Sequence, residues 1–136
     1  MIRLLVVDDN AGFRTRIREF LGSESDIEII GMAVDGEDAI RQARVLHPEV
    51  VLMDVRMAGL SGLDTIELML SEMPTIKVIM LSQFDMQAYR SAACELGASA
   101  FVVKKTMFEE LLPTIRSVAG IQTPCDGAVL DQDAVV

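Results

Sequence analysis

Tryptophan is absent from this 136-residue chain, tyrosine occurs once, and phenylalanine only five times. A core cannot therefore rest on large aromatic rings, and has to be assembled from Val, Ile, Leu, Ala and nine Met. Basic residues are also scarce: 12 stand against 21 acids, for a formal net charge of −9. That balance lacks the clustered Lys and Arg by which proteins grip nucleic-acid phosphates, so no nucleic acid is expected on this domain itself. It suits divalent cations or basic protein surfaces, although solubility explains most of the acids equally well. The two cysteines, Cys94 and Cys125, have no metal-type spacing. A reducing compartment is the natural inference, with a disulfide between them left open. No apolar run approaches a membrane span, and the opening run Met1–Val7 is cut short by Asp8-Asp9, too early for a secretory signal. The expectation is a soluble, cytoplasmic protein without a membrane segment.

Hydrophobic residues make up 51% of the sequence, enough for one domain that buries roughly two-thirds of its unfolded surface. Apolar runs of strand type alternate with segments of helical periodicity. The runs are Arg3–Val7, Ile27–Ala33, Val50–Met53, Lys77–Leu81 and Ala100–Val103. Four are continuous rather than alternating, as in strands covered by helices on both faces. Glu28 and Gly31 interrupt the second, which places it near an edge. Between the runs, Phe13, Ile17, Phe20 and Leu21 form one helical stripe. Ala39, Ile40 and Ala43 form a second, and Leu63, Ile66, Met69 and Leu70 a third. Asp85 reads as the N-cap of a fourth helix closed by Gly97. Met107, Leu111, Ile115 and Val118 mark a fifth, in which Pro113 predicts a kink or an early stop. Five βα units in this order predict an α/β doubly wound parallel sheet over residues 1–119, followed by a tail or linker over 120–136.

Charged or hydroxyl residues follow directly on four of the runs: Asp8-Asp9, Asp54, Ser82 and Lys104. Were those strands parallel neighbours, three carboxylates, an ammonium and a hydroxyl would meet at the carboxyl edge, where open α/β folds place their chemistry. Carboxylates crowded together repel unless a cation sits among them, and hard oxygen ligands favour magnesium. The pattern points to a metal-assisted site with a carboxylate nucleophile. His47, the only histidine, precedes Pro48 in a turn remote from that edge and reads as incidental.

These motifs, Leu5-Val6-Val7-Asp8-Asp9, Asp54-Val55-Arg56-Met57, Ser82 and Gly97-Ala98-Ser99-Ala100-Phe101-Val102-Val103-Lys104, resemble the receiver domain of bacterial two-component response regulators. The resemblance covers about residues 2–119. Gly31–Ile40 is similar in pattern to receivers joined to helix-turn-helix (LuxR-type) DNA-binding domains. The resemblance implies the flavodoxin-like strand order 2-1-3-4-5. It implies a signalling acceptor rather than an enzyme, with Asp54 taking phosphate from a sensor histidine kinase. Asp9, Asp54 and the backbone carbonyl of Arg56 would bind Mg²⁺, with Asp8 acting mainly through water. Lys104 would pair with the phosphoryl oxygens. Ser82 and Phe101 would switch together and reshape the face made by the fourth helix, fifth strand and fifth helix. That face would dock a downstream partner or effector, or a second copy of the chain.

Departures from the family pattern are Ala58 and Lys105, each where a proline is usual, and Gln83 where a small residue is usual. The bulk of Gln83, Arg56 and Phe84 would slow the approach of water to an acyl phosphate. Lys105 leaves the Lys104–Lys105 bond trans or strained, since a cis bond without proline costs about 2.5–4 kcal/mol. Two rival classes are weighed against the receiver. A haloacid-type phosphatase wants an acid two residues after its nucleophile, where this chain has Arg56. A pseudo-receiver that only binds usually loses an acid, the hydroxyl or the lysine, and all are present here. The chain fits a stand-alone receiver or the regulatory part of a longer transcription factor.

Overall fold

The computed structural model describes residues 1–57 and 59–120. Ala58, Cys125 and the expected tail beyond Gly120 lie outside the described residues. Five strands, β1 (Ile2–Val7), β2 (Ile27–Ala33), β3 (Val50–Asp54), β4 (Lys77–Ser82) and β5 (Ala100–Val103), form one parallel sheet in the order β2-β1-β3-β4-β5. The helices are α1 (Ala11–Leu21), α2 (Gly36–Leu46), α3 (Gly62–Glu72), α4 (Gln87–Glu95) and α5 (Met107–Ala119). A single 3₁₀ turn over Lys104–Thr106 leads into the last of them. No helix among the described residues is long and apolar enough to cross a membrane.

The continuous apolar runs are explained by two cores, one on each face of the sheet. Alternate strand residues Leu5, Val7, Val51, Met53, Val78 and Met80 join Ala39, Ile66, Met69 and Ala93 from α2, α3 and α4. Their neighbours Leu4, Val6, Val50, Leu52, Ile79 and Leu81 join Ile17, Leu21, Leu111, Ile115 and Val118 from α1 and α5. A strand buried on both sides cannot alternate polar with apolar, so its sequence is a solid block. β2 lies at an edge, where the exposed Glu28 is tolerated.

Helix ends follow local chemistry. Asn10, Asp35 and Ser61 accept hydrogen bonds from the backbone N–H groups of Phe13, Asp38 and Asp64, capping α1, α2 and α3. α2 ends on His47 in a left-handed conformation (φ 52°). There Arg3 donates from Nη1 to the His47 carbonyl at 2.6 Å and from Nη2 to the Leu46 carbonyl at 2.7 Å. The expected role of Asp85 is corrected: α4 begins two residues later, Met86 occupies its N-cap, and the Asp85 carboxylate instead accepts from Arg90 Nε at 2.8 Å. Gly97 (φ 107°) follows α4 as predicted. Pro113 does not stop α5, which continues to Ala119 with the proline on its exposed side. No cis peptide bond occurs among the described residues, so Lys104–Lys105 is trans.

The loop after β3 returns tightly onto the strand. Gly62 donates its N–H to the Val55 carbonyl at 2.9 Å, and a Cβ at Gly62 would collide with the Asp54 carbonyl oxygen. Gly59 has a positive φ of 76° but open space around it. Gly62→Ala should therefore lower the unfolding free energy by more than about 2 kcal/mol, and Gly59→Ala by only about 1 kcal/mol. Urea denaturation of the two variants beside the parent protein measures the difference.

Candidate phosphoryl-acceptor site

Register determines which side chains meet. Val7 pairs with Met53, Asp54 with Leu81, and Ser82 with Val103. The residues at or just beyond these positions, Asp8, Asp54, Ser82 and Lys104, therefore emerge along one edge of the sheet. One carboxylate oxygen each from Asp8, Asp9 and Asp54 lies within 4.8 Å of the others. Lys104 Nζ donates to Asp8 Oδ2 at 2.8 Å and lies 3.5 Å from Asp54 Oδ1. Asp8 and Asp54 are buried, whereas Asp9 is exposed. Its exposure leaves Asp9 the most accessible of the three acids.

The turn between β1 and α1 holds Asp8 in place. The Asn10 N–H donates to Asp8 Oδ1 at 2.9 Å, and Arg14 Nη1 donates to the Asp8 carbonyl at 2.6 Å. Asp54 is more weakly compensated. Burial raises its pKa to about 6, and the negative charges of Asp8 and Asp9 add to the rise. Lys104 and the backbone N–H of Arg56 oppose it without cancelling it. Three carboxylates against one ammonium leave excess negative charge, and the donors are hard oxygens. The residues present therefore fit a small divalent cation.

Ser82 is buried at the same edge, but its hydroxyl is engaged with the next loop. It donates to the Phe84 carbonyl at 2.8 Å and accepts from the Phe84 N–H at 3.1 Å. Phe101 is packed into the core beside α4, with the Arg90 guanidinium 4.9 Å above its ring. Gln83, Phe84 and Arg56 are exposed. The structure thus brings together Asp8, Asp9, Asp54 and Lys104, and places Ser82 on β4 and Phe101 on β5, engaged with Phe84 and Arg90 respectively. Sequence reasoning missed Asn10, Arg14 and Phe13, whose ring centroid lies 4.0 Å from Lys104 Nζ. The first two carried a signal in their closeness to Asp8; Phe13 was indistinguishable from core. His47 lies at the opposite end of the sheet, in a cleft of about 560 Å³ with Pro48, Glu72, Met73 and Pro74.

A five-stranded parallel sheet in the order 2-1-3-4-5, with acids and a lysine at its carboxyl edge, defines an α/β domain of the flavodoxin-like receiver class. The chain belongs to the response regulator receiver domain family, whose model matches residues 4–116. It is 36% identical over 118 residues to the response regulator GacA of Pseudomonas aeruginosa, covering 87% of this chain and 55% of that protein. It is 32% identical over 131 residues to the response regulator protein VraR of Staphylococcus saprophyticus, covering 95% of this chain and 62% of the relative. The chain thus spans only part of the length of these relatives. Among solved structures, the response regulator domain of Thermotoga maritima CheB superposes with a TM-score of 0.83 at 32% identity, covering 90% of this chain and 98% of that one. A LuxR-family DNA-binding response regulator from Staphylococcus aureus gives 0.82 at 28% identity, covering 88% and 100%.

The raised pKa of Asp54 has a consequence for stability. A carboxyl whose folded pKa lies above its unfolded value favours folding most at low pH, and that contribution is lost as pH rises from about 4 through about 6. At neutral pH, without divalent cations, Asp54→Asn should stabilise the protein by about 1–3 kcal/mol, a range reduced for partial solvent screening. The gain should vanish below about pH 4. Magnesium should raise the melting temperature of the parent protein more than that of the variant. Thermal melts with chelator and with magnesium, across this pH range, read all three outcomes.

Proposed function

We propose that residues 1–119 act as a receiver that takes a phosphoryl group from a sensor histidine kinase onto Asp54. The observation that carries this reading is the convergence of three carboxylates within 4.8 Å, with Lys104 in contact with two of them. With a pKa near 6, Asp54 is mostly ionised at neutral pH and available as a nucleophile. One of its oxygens attacks phosphorus as the nitrogen–phosphorus bond of phosphohistidine breaks, and the released imidazole recovers a proton from solvent. Lys104 leaves Asp8 and Asp54 to pair with the incoming phosphoryl oxygens. Asp9, Asp54 and the Arg56 backbone carbonyl would hold Mg²⁺, with Asp8 behind them through water. When bound, the ion neutralises charge on the transferring group and orients it.

Ser82 then exchanges its bond to Phe84 for one to the phosphoryl group, and Phe101 repacks with it. The α4-β5-α5 face carries the change to a protein partner, an effector or a second copy of this chain. The likeness to a LuxR-family DNA-binding response regulator, and the longer length of GacA and VraR, support a regulatory part of a longer transcription factor. The exposed Gln83 and Phe84 stand beside Ser82, where they would screen the acyl phosphate from water.

Incubation with phosphoramidate and magnesium should add one phosphoryl group by intact mass, with no gain in Asp54→Asn or in chelator. Absence of any gain, from that donor and from a panel of phosphorylated kinases, would favour a module that signals by binding alone.

A further inference from the structure

Lys104 has three close neighbours, and only two are acids. An ammonium carries three donors; one reaches Asp8 Oδ2 at 2.8 Å, and Asp54 Oδ1 stands at 3.5 Å. The third neighbour is the face of Phe13, with its centroid 4.0 Å from Nζ. The Phe13 ring is 3% exposed, and the Lys104 side chain 17%, so little water screens this contact. Phe13 sits in the first turn of α1, its N–H bonded to Asn10, the residue that also donates to Asp8. The ring, the Asp8 carboxylate and the Lys104 ammonium are thus fixed by a single turn. Filling the core shared with Ile17 and Leu21 does not of itself call for a ring with its face turned to an ammonium.

We propose that Phe13 is a positioning residue for Lys104, its ring face holding the ammonium at the mouth of the acidic site. An ammonium bound only by carboxylates has to break charge-assisted bonds before it can serve another anion. Attraction to an aromatic face varies slowly with lateral position and consumes no specific donor, so Nζ stays attracted while it swings from Asp8 toward a phosphoryl oxygen. A desolvated contact of this kind favours the held position by about tenfold. The role in transfer rests on Asp54 being the acceptor; the contact itself does not.

The chain has three lysines, Lys77, Lys104 and Lys105, so ¹³C-lysine NMR of the unphosphorylated protein should resolve each ε-methylene. Ring current should shift the Lys104 ε-protons upfield, with the signal identified by its loss in Lys104→Arg. Phe13→Tyr should keep the shift, and Phe13→Leu should abolish it. Arg16→Ala should keep it too, because Arg16 meets the ring only at 5.8 Å. The rate of phosphoryl uptake from phosphoramidate should fall about tenfold in Phe13→Leu and stay within about twofold in Phe13→Tyr, at comparable melting temperatures. Should Phe13→Leu fail to fold, Phe13→Met serves the same comparison. An unshifted Lys104 signal in the parent protein, or equal rate losses in the Tyr and Leu variants, would overturn the proposal. If the parent protein accepts no phosphoryl group, the acceptor reading fails while the NMR comparison still decides whether Phe13 holds Lys104.

Discussion

The carboxyl edge of this sheet depends on a charge balance struck between its first and last strands. Asp8, at the end of β1, has a side chain only 1% exposed, and its nearest opposite charge is Lys104, just past β5. A buried carboxylate without a counter-charge is costly, so the end of the first strand needs the ammonium that follows the last. Asp54 stands between them and receives only part of the same ammonium. The centre of the site is therefore left with excess negative charge, a setting that a divalent cation would relieve.

The strands that carry this edge are positioned by apolar packing. Two cores clamp the sheet from both faces, and strand register then places each polar residue one step beyond the clamp. Rigid strands end, and chemistry begins, within a single residue. The contrast with Ser82 is instructive. It lies in the same row, yet its hydroxyl turns away to the Phe84 backbone, so the row is paired partly within itself and partly with the following loop.

Much of this was legible in the sequence for plain reasons. A buried parallel strand has to be a solid apolar block; four such blocks and the interrupted second run all became strands within a residue or two of their ends. Asp54 and Lys104 were legible because a charge ending such a block has few structural uses. Strand order came from family resemblance, since periodicity carries no information about neighbours. Asp85 misled because a good capping residue also makes a good ion-pair partner, and Arg90 lay within reach. Pro113 did not bring the early stop because an exposed proline within a helix held by Leu111, Ile115 and Val118 costs less than losing that packing. Phe13 stayed hidden because a ring on a core stripe looks like core, whatever its far face touches.

The pairing of Asp8 with Lys104 spans 96 residues of sequence. During synthesis, at about 5–20 residues per second, Asp8 and Asp9 would leave the ribosome about 5–20 s before the lysine that balances them. Through that interval a nascent chain could collapse its first strands but could not close their charged edge. The last strand thus acts as a seal on assembly, and a chain halted before residue 104 would carry all the acids of the site with no ammonium to hold them.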